Sequence, residues 1–74
     1  MMPADRAEIV WNEENGKKRG WLIRLWIGEE VIKYRPQDPA PGREADDEAL
    51  RSAAVAAARF DNYELNPATV AIKR

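Results

Sequence analysis

The side chains best suited to bind another molecule lie along one strand-like segment, residues 21–27. Alternate residues of a strand point to opposite faces, so Leu22, Arg24 and Trp26 share one face. A tryptophan beside a basic side chain is typical of protein interfaces and of surfaces that bind nucleic acid. The single helix expected later in the chain can cover only one face of a small sheet. We therefore predict that the face bearing Trp26 is open to a partner.

The remaining residue types argue against an enzyme. The chain has no cysteine and no histidine, which excludes thiolate nucleophiles, Cys/His zinc sites and imidazole acid–base catalysis. Ser52 is the only serine and has no histidine to activate it. The carboxylates cluster as neighbours at 13–14, 29–30 and 46–48, whereas catalytic pairs converge across a pocket. No glycine-rich phosphate loop is present. We expect no catalytic residue, no metal ion and no cofactor.

Composition indicates one small globular domain. Of the 74 residues, 45% are hydrophobic and 34% are charged, a balance typical of folded proteins. Lysine and arginine number 12 against 13 acidic residues, so duplex nucleic acid is not the expected main partner, although a local basic patch is compatible with this balance. No apolar run approaches membrane-spanning length. We expect a soluble, cytoplasmic protein that does not enter a membrane.

The pattern predicts an α+β fold in the order βββαβ. A three-stranded antiparallel β-meander precedes one alanine-rich helix packed on one face, and a short strand ends the chain. Residues 1–6 are expected to form a flexible lead-in and residues 36–43 a proline-rich loop. The predicted strands are 7–12, 19–27, 30–35 and 69–72, and the helix runs from 46 to 60 or 63. The last strand could lie beside the first strand or the third.

Strand register follows from the placement of apolar residues. In the first hairpin, pairing Trp11 with Trp21 brings the most apolar surface to one face and sets Glu8 opposite Arg24. This register requires a bulge or a loop longer than a strict two-residue turn. In the second hairpin, a tight turn at 28–29 gives a register in which the apolar face of the first hairpin continues onto the third strand. This apolar face is called the inner face.

The helix is expected to cover that inner face. At 100° per residue, six residues share the side predicted to be buried, and Leu50 and Phe60 are its two large members. These six are Ala49, Leu50, Ala53, Ala56, Ala57 and Phe60. The alanines would allow the helix to approach the sheet closely.

The opposite face of the sheet carries the candidate site. Its predicted members are Glu8, Val10, Leu22, Arg24, Trp26, Val31, Lys33 and Arg35, and those expected to contact a partner are Arg24, Trp26, Val31, Lys33 and Arg35. Arg24 and Lys33 fall opposite each other, an arrangement that normally destabilises a sheet. In one interpretation, Glu8 neutralises Arg24 from its other side and Trp26 only packs across the strands against Val31, since a single surface aromatic residue needs no further explanation. In the other, an anionic partner covers these cations and Trp26 anchors it.

Three functions are compatible with this surface. The first is a non-enzymatic protein-interaction module of the adaptor or inhibitor type, which docks through the helix-free face or an edge strand. The second is nucleic-acid binding through Arg24, Trp26, Lys33 and Arg35, and the third is a structural subunit that forms a homodimer or larger homo-oligomer.

An architectural resemblance bears on the second function. The residues that carry it are Gly20, Trp21 and Arg24 in the sheet and residues 58–61 at the end of the helix. Over residues 19–63 the arrangement resembles plant-type AP2 DNA-binding domains and the amino-terminal domains of some integrases. The resemblance lies in architecture and not in a motif, and it implies recognition of nucleic acid by the sheet. The chain lacks the surplus of arginine that such domains carry.

Overall fold

The structure is a computed structural model that describes residues 1–14, 17–37 and 40–74. It is an α+β fold, which confirms the predicted class. The elements in chain order are β1 (Met2–Pro3), β2 (Arg6–Glu14), β3 (Lys17–Ile27), β4 (Glu30–Tyr34), α1 (Asp47–Phe60), β5 (Tyr63–Glu64), a 3-10 turn (Pro67–Thr69) and β6 (Val70–Lys73).

The main sheet has four strands in the order β4-β3-β2-β6. The hairpins β2–β3 and β3–β4 are antiparallel, whereas β6 is parallel to β2. The last strand thus lies beside the first long strand, at the edge opposite β4. A parallel neighbour needs a crossover connection, and α1 supplies it by carrying the chain from one edge of the sheet to the other.

The observed register agrees with the sequence-based one. Trp11 pairs with Trp21 and Glu8 pairs with Arg24, and an irregularity between Asn12 and Glu14 supplies the predicted shift. The Asn-Gly turn itself lies outside the described residues. In the second hairpin Gly28 has a φ of 60°, the conformation that a type II′ turn requires at its first central position.

The segment predicted as a lead-in, residues 1–6, takes part in the fold. Met2–Pro3 pairs in parallel with Tyr63–Glu64 and forms a second, two-stranded sheet. The Asp5 backbone N–H donates to the Trp26 carbonyl at 2.8 Å, and its carboxylate accepts from the Gly28 N–H at 2.6 Å. These contacts start β2 at Arg6, one residue earlier than predicted, and bring Arg6 opposite Trp26.

The helix begins and ends close to its predicted bounds. Asp46 is the N-cap, and its carboxylate accepts a hydrogen bond from the Ala49 N–H at 2.8 Å. After Phe60 the chain leaves the helix, and Asn62 adopts a left-handed φ of 62°, as is common just beyond a helix end.

The helical face that packs against the sheet differs from the predicted one. Phe60, expected to anchor the helix, is 75% exposed, and Ala49 and Ala56 are exposed as well. The buried helix residues are Leu50, Ala54, Ala57 and Ala58. This face is rotated by roughly a quarter turn from the prediction. Because alanine occupies nearly every side of the helix, its amphipathic pattern is shallow, and the buried face of the helix shares the core with Leu65 and Val70 from the segment that follows it.

The core lies between α1 and the inner face of the sheet. Its fully buried large side chains are Ile9, Trp21, Ile23, Leu25 and Leu50. In addition, the Trp21 indole N–H donates to the Gly42 carbonyl at 3.0 Å, which ties the end of the predicted proline-rich loop to the sheet. Residues 38 and 39 of that loop lie outside the described residues.

Candidate functional site

The candidate site is the side of the main sheet opposite α1, here called the outer face. Because inward residues of β2, β3 and β6 are buried against the helix, alternation directs the others outward. The outer face comprises Arg6, Glu8, Val10, Leu22, Arg24, Trp26, Val31, Lys33, Ala71 and Lys73. These side chains are either half-buried or exposed.

Strand pairing arranges these side chains in rows across the strands. A charged row runs Ala71, Glu8, Arg24, Lys33. On one side of it lies the row Arg6, Trp26, Val31, and on the other the row Lys73, Val10, Leu22. The outer face therefore has two apolar strips, each with a cation at one end, separated by a band of charge.

Trp26 is the largest side chain of the outer face, and it is already in contact with a cation. The Arg6 guanidinium carbon lies over the indole, 3.9 Å from the ring centroid. Cation–π contacts of this kind contribute about 0.5–1 kcal/mol at exposed sites. On its other side Trp26 pairs with Val31, which is 44% exposed. The indole is therefore held in place between two neighbours, a geometry that suits a rigid contact residue.

Glu8 is the one carboxylate among the outer-face side chains that the structure describes, and two cations share it. Arg24 donates from Nη1 to one carboxylate oxygen at 3.1 Å, and Lys73 Nζ lies 3.1 Å from the other. Only 12% of the Glu8 side chain is exposed. Burial by itself would raise the pKa of Glu8, but the hydrogen bonds and charges of Lys73 and Arg24 outweigh it and hold the pKa below its usual value. Glu8 is thus ionised and structural at neutral pH.

The cations nearest to the β4 edge are not neutralised in this way. Lys33 and Arg35 make no ion pair with any acidic side chain that the structure describes. Lys33 lies opposite Arg24, as predicted, and Glu8 neutralises Arg24 from its other side. Neutralisation by Glu8 therefore accounts for Arg24, but Lys33 has no counter-ion among the described residues.

Four of the five predicted site residues lie together on the outer face: Arg24, Trp26, Val31 and Lys33. Arg35 follows the last residue of β4 and is exposed, and alternation places it on the same side. Sequence reasoning missed Arg6 and Lys73. Arg6 was assigned to the lead-in, although extending the register by two residues from Glu8 would have placed it opposite Trp26. Lys73 follows Ile72, so alternation along the last strand would have pointed it outward.

Charge is distributed unevenly over the molecule. Among the side chains that the structure describes, the outer face together with Arg35 holds five basic side chains and one carboxylate, in a chain with 12 basic and 13 acidic residues. The rest of the chain therefore holds seven basic and 12 acidic residues. A net charge near zero conceals a positive sheet face and a negative remainder.

A concave surface, separate from the outer face, lies on the helix side of the sheet. It is an open groove of about 590 Å³ between β1, α1 and the segment that leads to the 3-10 turn. Its charged residues, Arg59 and Glu64, are exposed. Among the described residues, no three acidic side chains are grouped closely enough to hold a metal ion. Within the same ranges, no helix has the length and apolar character needed to cross a membrane.

Comparison with known proteins found no relative of this chain. No protein-family model matches it, and neither a curated protein nor a solved structure shows significant similarity.

Proposed function

We propose that this chain is a non-enzymatic protein-interaction module, of the adaptor or inhibitor type, that docks through its outer face. The observation that carries the proposal is a sheet face without a covering helix that combines apolar strips with a net positive charge. Interfaces typically place an aromatic or arginine anchor at the centre and polar groups at the rim. Trp26 is suited to be the anchor, and Lys33 and Arg35 lie at the rim.

Nucleic-acid binding is less well supported by the same geometry. Binding of single strands relies on aromatic rings whose faces are free to stack with bases. Arg6 lies over the Trp26 ring, so one ring face is occupied. Phosphate binding relies on cations that release counter-ions, and Arg24 and Lys73 in the centre of the face already share the carboxylate of Glu8.

Self-association through the outer face is also disfavoured. A two-fold dimer would bring the same patch of both copies together. That contact would oppose two positively charged faces and desolvate their cations. A homodimer would therefore need another surface, such as an edge strand.

Comparative capture from the source cell tests the proposal. The chain is biotinylated at a cysteine introduced by Ser52→Cys, which is exposed on the helix and faces away from the outer face. Trp26→Ala removes the proposed anchor. Phe60→Ala is the matched control, since Phe60 is an exposed aromatic residue on the opposite side of the molecule. We expect a protein that the parent chain and Phe60→Ala both retain, and that Trp26→Ala retains at least about tenfold less.

Other results would redirect or overturn the proposal. Equal capture by Trp26→Ala and the parent chain would show that the outer face is not the docking surface. Capture that disappears after nuclease treatment and collapses with modest salt would support the nucleic-acid alternative. Light scattering that reports a mass rising with concentration would support the homo-oligomer. Thermal melting of Trp26→Ala checks that it remains folded. We expect its free energy of unfolding to be about 1 kcal/mol lower than that of the parent chain.

A further inference from the structure

The edge strand β4 offers a specific way to complete the outer face. β4 pairs only with β3, and no described backbone group bonds to its other side. The opposite edge, β6, is followed by Arg74, whose guanidinium is bound to the carbonyls of Arg43 and Ala45. The β4 edge therefore presents backbone groups that bond to no described residue.

The turn between β3 and β4 determines which residues of β4 face this edge. Gly28 and Glu29 form a two-residue turn, and the pair that flanks such a turn, Ile27 and Glu30, is a hydrogen-bonded pair. Hydrogen-bonded and non-hydrogen-bonded pairs alternate along an antiparallel ladder. Val31 and Lys33 therefore direct their backbone N–H and C=O groups away from β3, toward solvent.

The same two residues have their side chains on the outer face. A strand added at this edge would place every second side chain in line with the rows of the outer face. The position next to Lys33 extends the charged row, where the nearest unneutralised charge is positive. The position next to Val31 extends the row of Trp26, and Val31 is 44% exposed.

We infer that the partner adds an extended segment to the β4 edge, with an acidic residue beside Lys33 and an apolar residue, two positions away, beside Val31. A second carboxylate beyond the first would meet Arg35. The backbone of Val31 and Lys33 supplies affinity, and the charge and apolar rows supply selectivity. The inference rests on the proposed function, since it names the chemistry of the partner at that face.

A designed peptide serves as the probe. Its sequence, Glu-Thr-Glu-Thr-Val-Thr-Glu-Thr-Glu, is symmetric and presents the same pattern in either strand direction. The charge control replaces each glutamate by lysine. The spacing control, Glu-Glu-Thr-Thr-Val-Thr-Thr-Glu-Glu, keeps the composition but moves the inner carboxylates to the other face of the strand. We expect binding of the probe at least about tenfold tighter than that of either control.

Amide hydrogen exchange of the isotopically labelled chain reads out the backbone contact. We expect the probe to slow exchange of the Val31 and Lys33 amides by at least about tenfold, because these amides point away from β3 and gain hydrogen bonds to the added strand. The Ile32 amide, already bonded within the sheet, should change much less. Unchanged exchange at Val31 and Lys33 at saturating probe would overturn the strand addition.

Proline substitution separates strand addition from contact with the face. Val31→Pro removes an N–H that points to solvent, so the bonds between β4 and β3 are retained, as is usual for proline at sheet edges. Val31→Ala removes the side chain but keeps the N–H and is the matched control. We expect Val31→Pro to bind the probe at least about tenfold more weakly than Val31→Ala.

The native partner distinguishes failure of this inference from failure of the proposed function. If Trp26→Ala loses the partner and Val31→Pro retains it as well as Val31→Ala does, docking on the outer face stands and strand addition is wrong. If Val31→Pro loses the partner and Trp26→Ala retains it, the edge is used and the outer face is not. A probe that binds no better than its two controls also refutes the inference.

Discussion

Glu8 provides the most informative perturbation, since its loss should weaken the fold and strengthen binding at the same time. Glu8→Gln keeps the size and shape of the side chain but removes the charge that Arg24 and Lys73 share at 3.1 Å each. Two cations would then face each other across the outer face without a carboxylate between them. The fold loses two ion pairs, while an acidic partner would encounter a more positive surface.

The magnitude follows from exposure. The Arg24 side chain is 36% exposed, which suggests about 1 kcal/mol for its charged hydrogen bond, within the range for partly buried pairs. The Lys73 side chain is 60% exposed, and solvent screening reduces its contribution to about 0.5 kcal/mol or less. The sum, about 1–1.5 kcal/mol, lowers the melting temperature of a domain of this size by roughly 4–10 °C.

The pH dependence provides an independent check of the same contact. The pKa of Glu8 lies below its usual value in the folded chain. Between the lowered and the usual pKa the unfolded chain binds more protons, so stability contributed by Glu8 falls as the solution is acidified. The stability difference between the parent chain and Glu8→Gln should therefore be constant above about pH 5 and shrink below it.

The assay is thermal and urea unfolding from pH 3 to 7, together with titration of the acidic nonapeptide. Glu44→Gln is the control, because it makes the same change of net charge at an exposed residue near the β6 edge, away from β4. We expect Glu8→Gln to be less stable than Glu44→Gln and to bind the peptide more tightly. Equal stability of the two variants at pH 7, with no difference that depends on pH, would show that the ion pairs of Glu8 do not stabilise the fold.

Two further predictions test the packing of the helix. Leu50→Ala should lower the free energy of unfolding by about 2–5 kcal/mol because Leu50 is fully buried, whereas Phe60→Ala should lower it by about 0.5 kcal/mol or less. Urea unfolding measures both values, and similar decreases for the two variants would contradict the observed face of the helix. Tyr34 donates a hydrogen bond to Asp61 at 2.7 Å, and burial together with this bond raises the pKa of Tyr34 above its usual value. Unfolded tyrosine ionises at about pH 10, so the stability of the fold should decrease as the pH rises past this value. Tyr34→Phe should remove this decrease in stability at alkaline pH, as measured by unfolding curves. It should also remove the ionisation that occurs at the higher pH in the tyrosine absorbance titration, and an unchanged titration would refute the contact.

Much of the sheet could be predicted because local chemistry and strand periodicity agree there. The β2–β3 register followed from aligning Trp11 with Trp21, and the tight turn at Gly28 determined the β3–β4 register. The same alternation correctly grouped Arg24, Trp26, Val31 and Lys33. A one-residue slip would have moved every side chain to the wrong face, so a single strongly apolar pairing suffices to exclude it.

The orientation of the helix could not be predicted in this way. Alanine contributes little to the contrast between faces, and Phe60, one of the two large residues expected to anchor the helix, is its last residue and is exposed. Leu65, from the segment after the helix, is buried in the core, whereas Phe60 is exposed. An amphipathic pattern locates a helix face only where large apolar and polar residues alternate clearly.

The sequence by itself thus determined the long strands of the main sheet, the helix, the two hairpin registers and the residue chemistry of the exposed sheet face, because each depends on contacts between neighbours in the chain. It did not determine the short strands β1 and β5, which pair segments far apart in the chain. Only the tertiary structure decided that β6 lies beside β2, and hence that Lys73 shares Glu8 with Arg24. It also decided which face of α1 is buried and which cations keep an unneutralised charge. These features depend on segments far apart in the chain, whose packing local propensity does not specify.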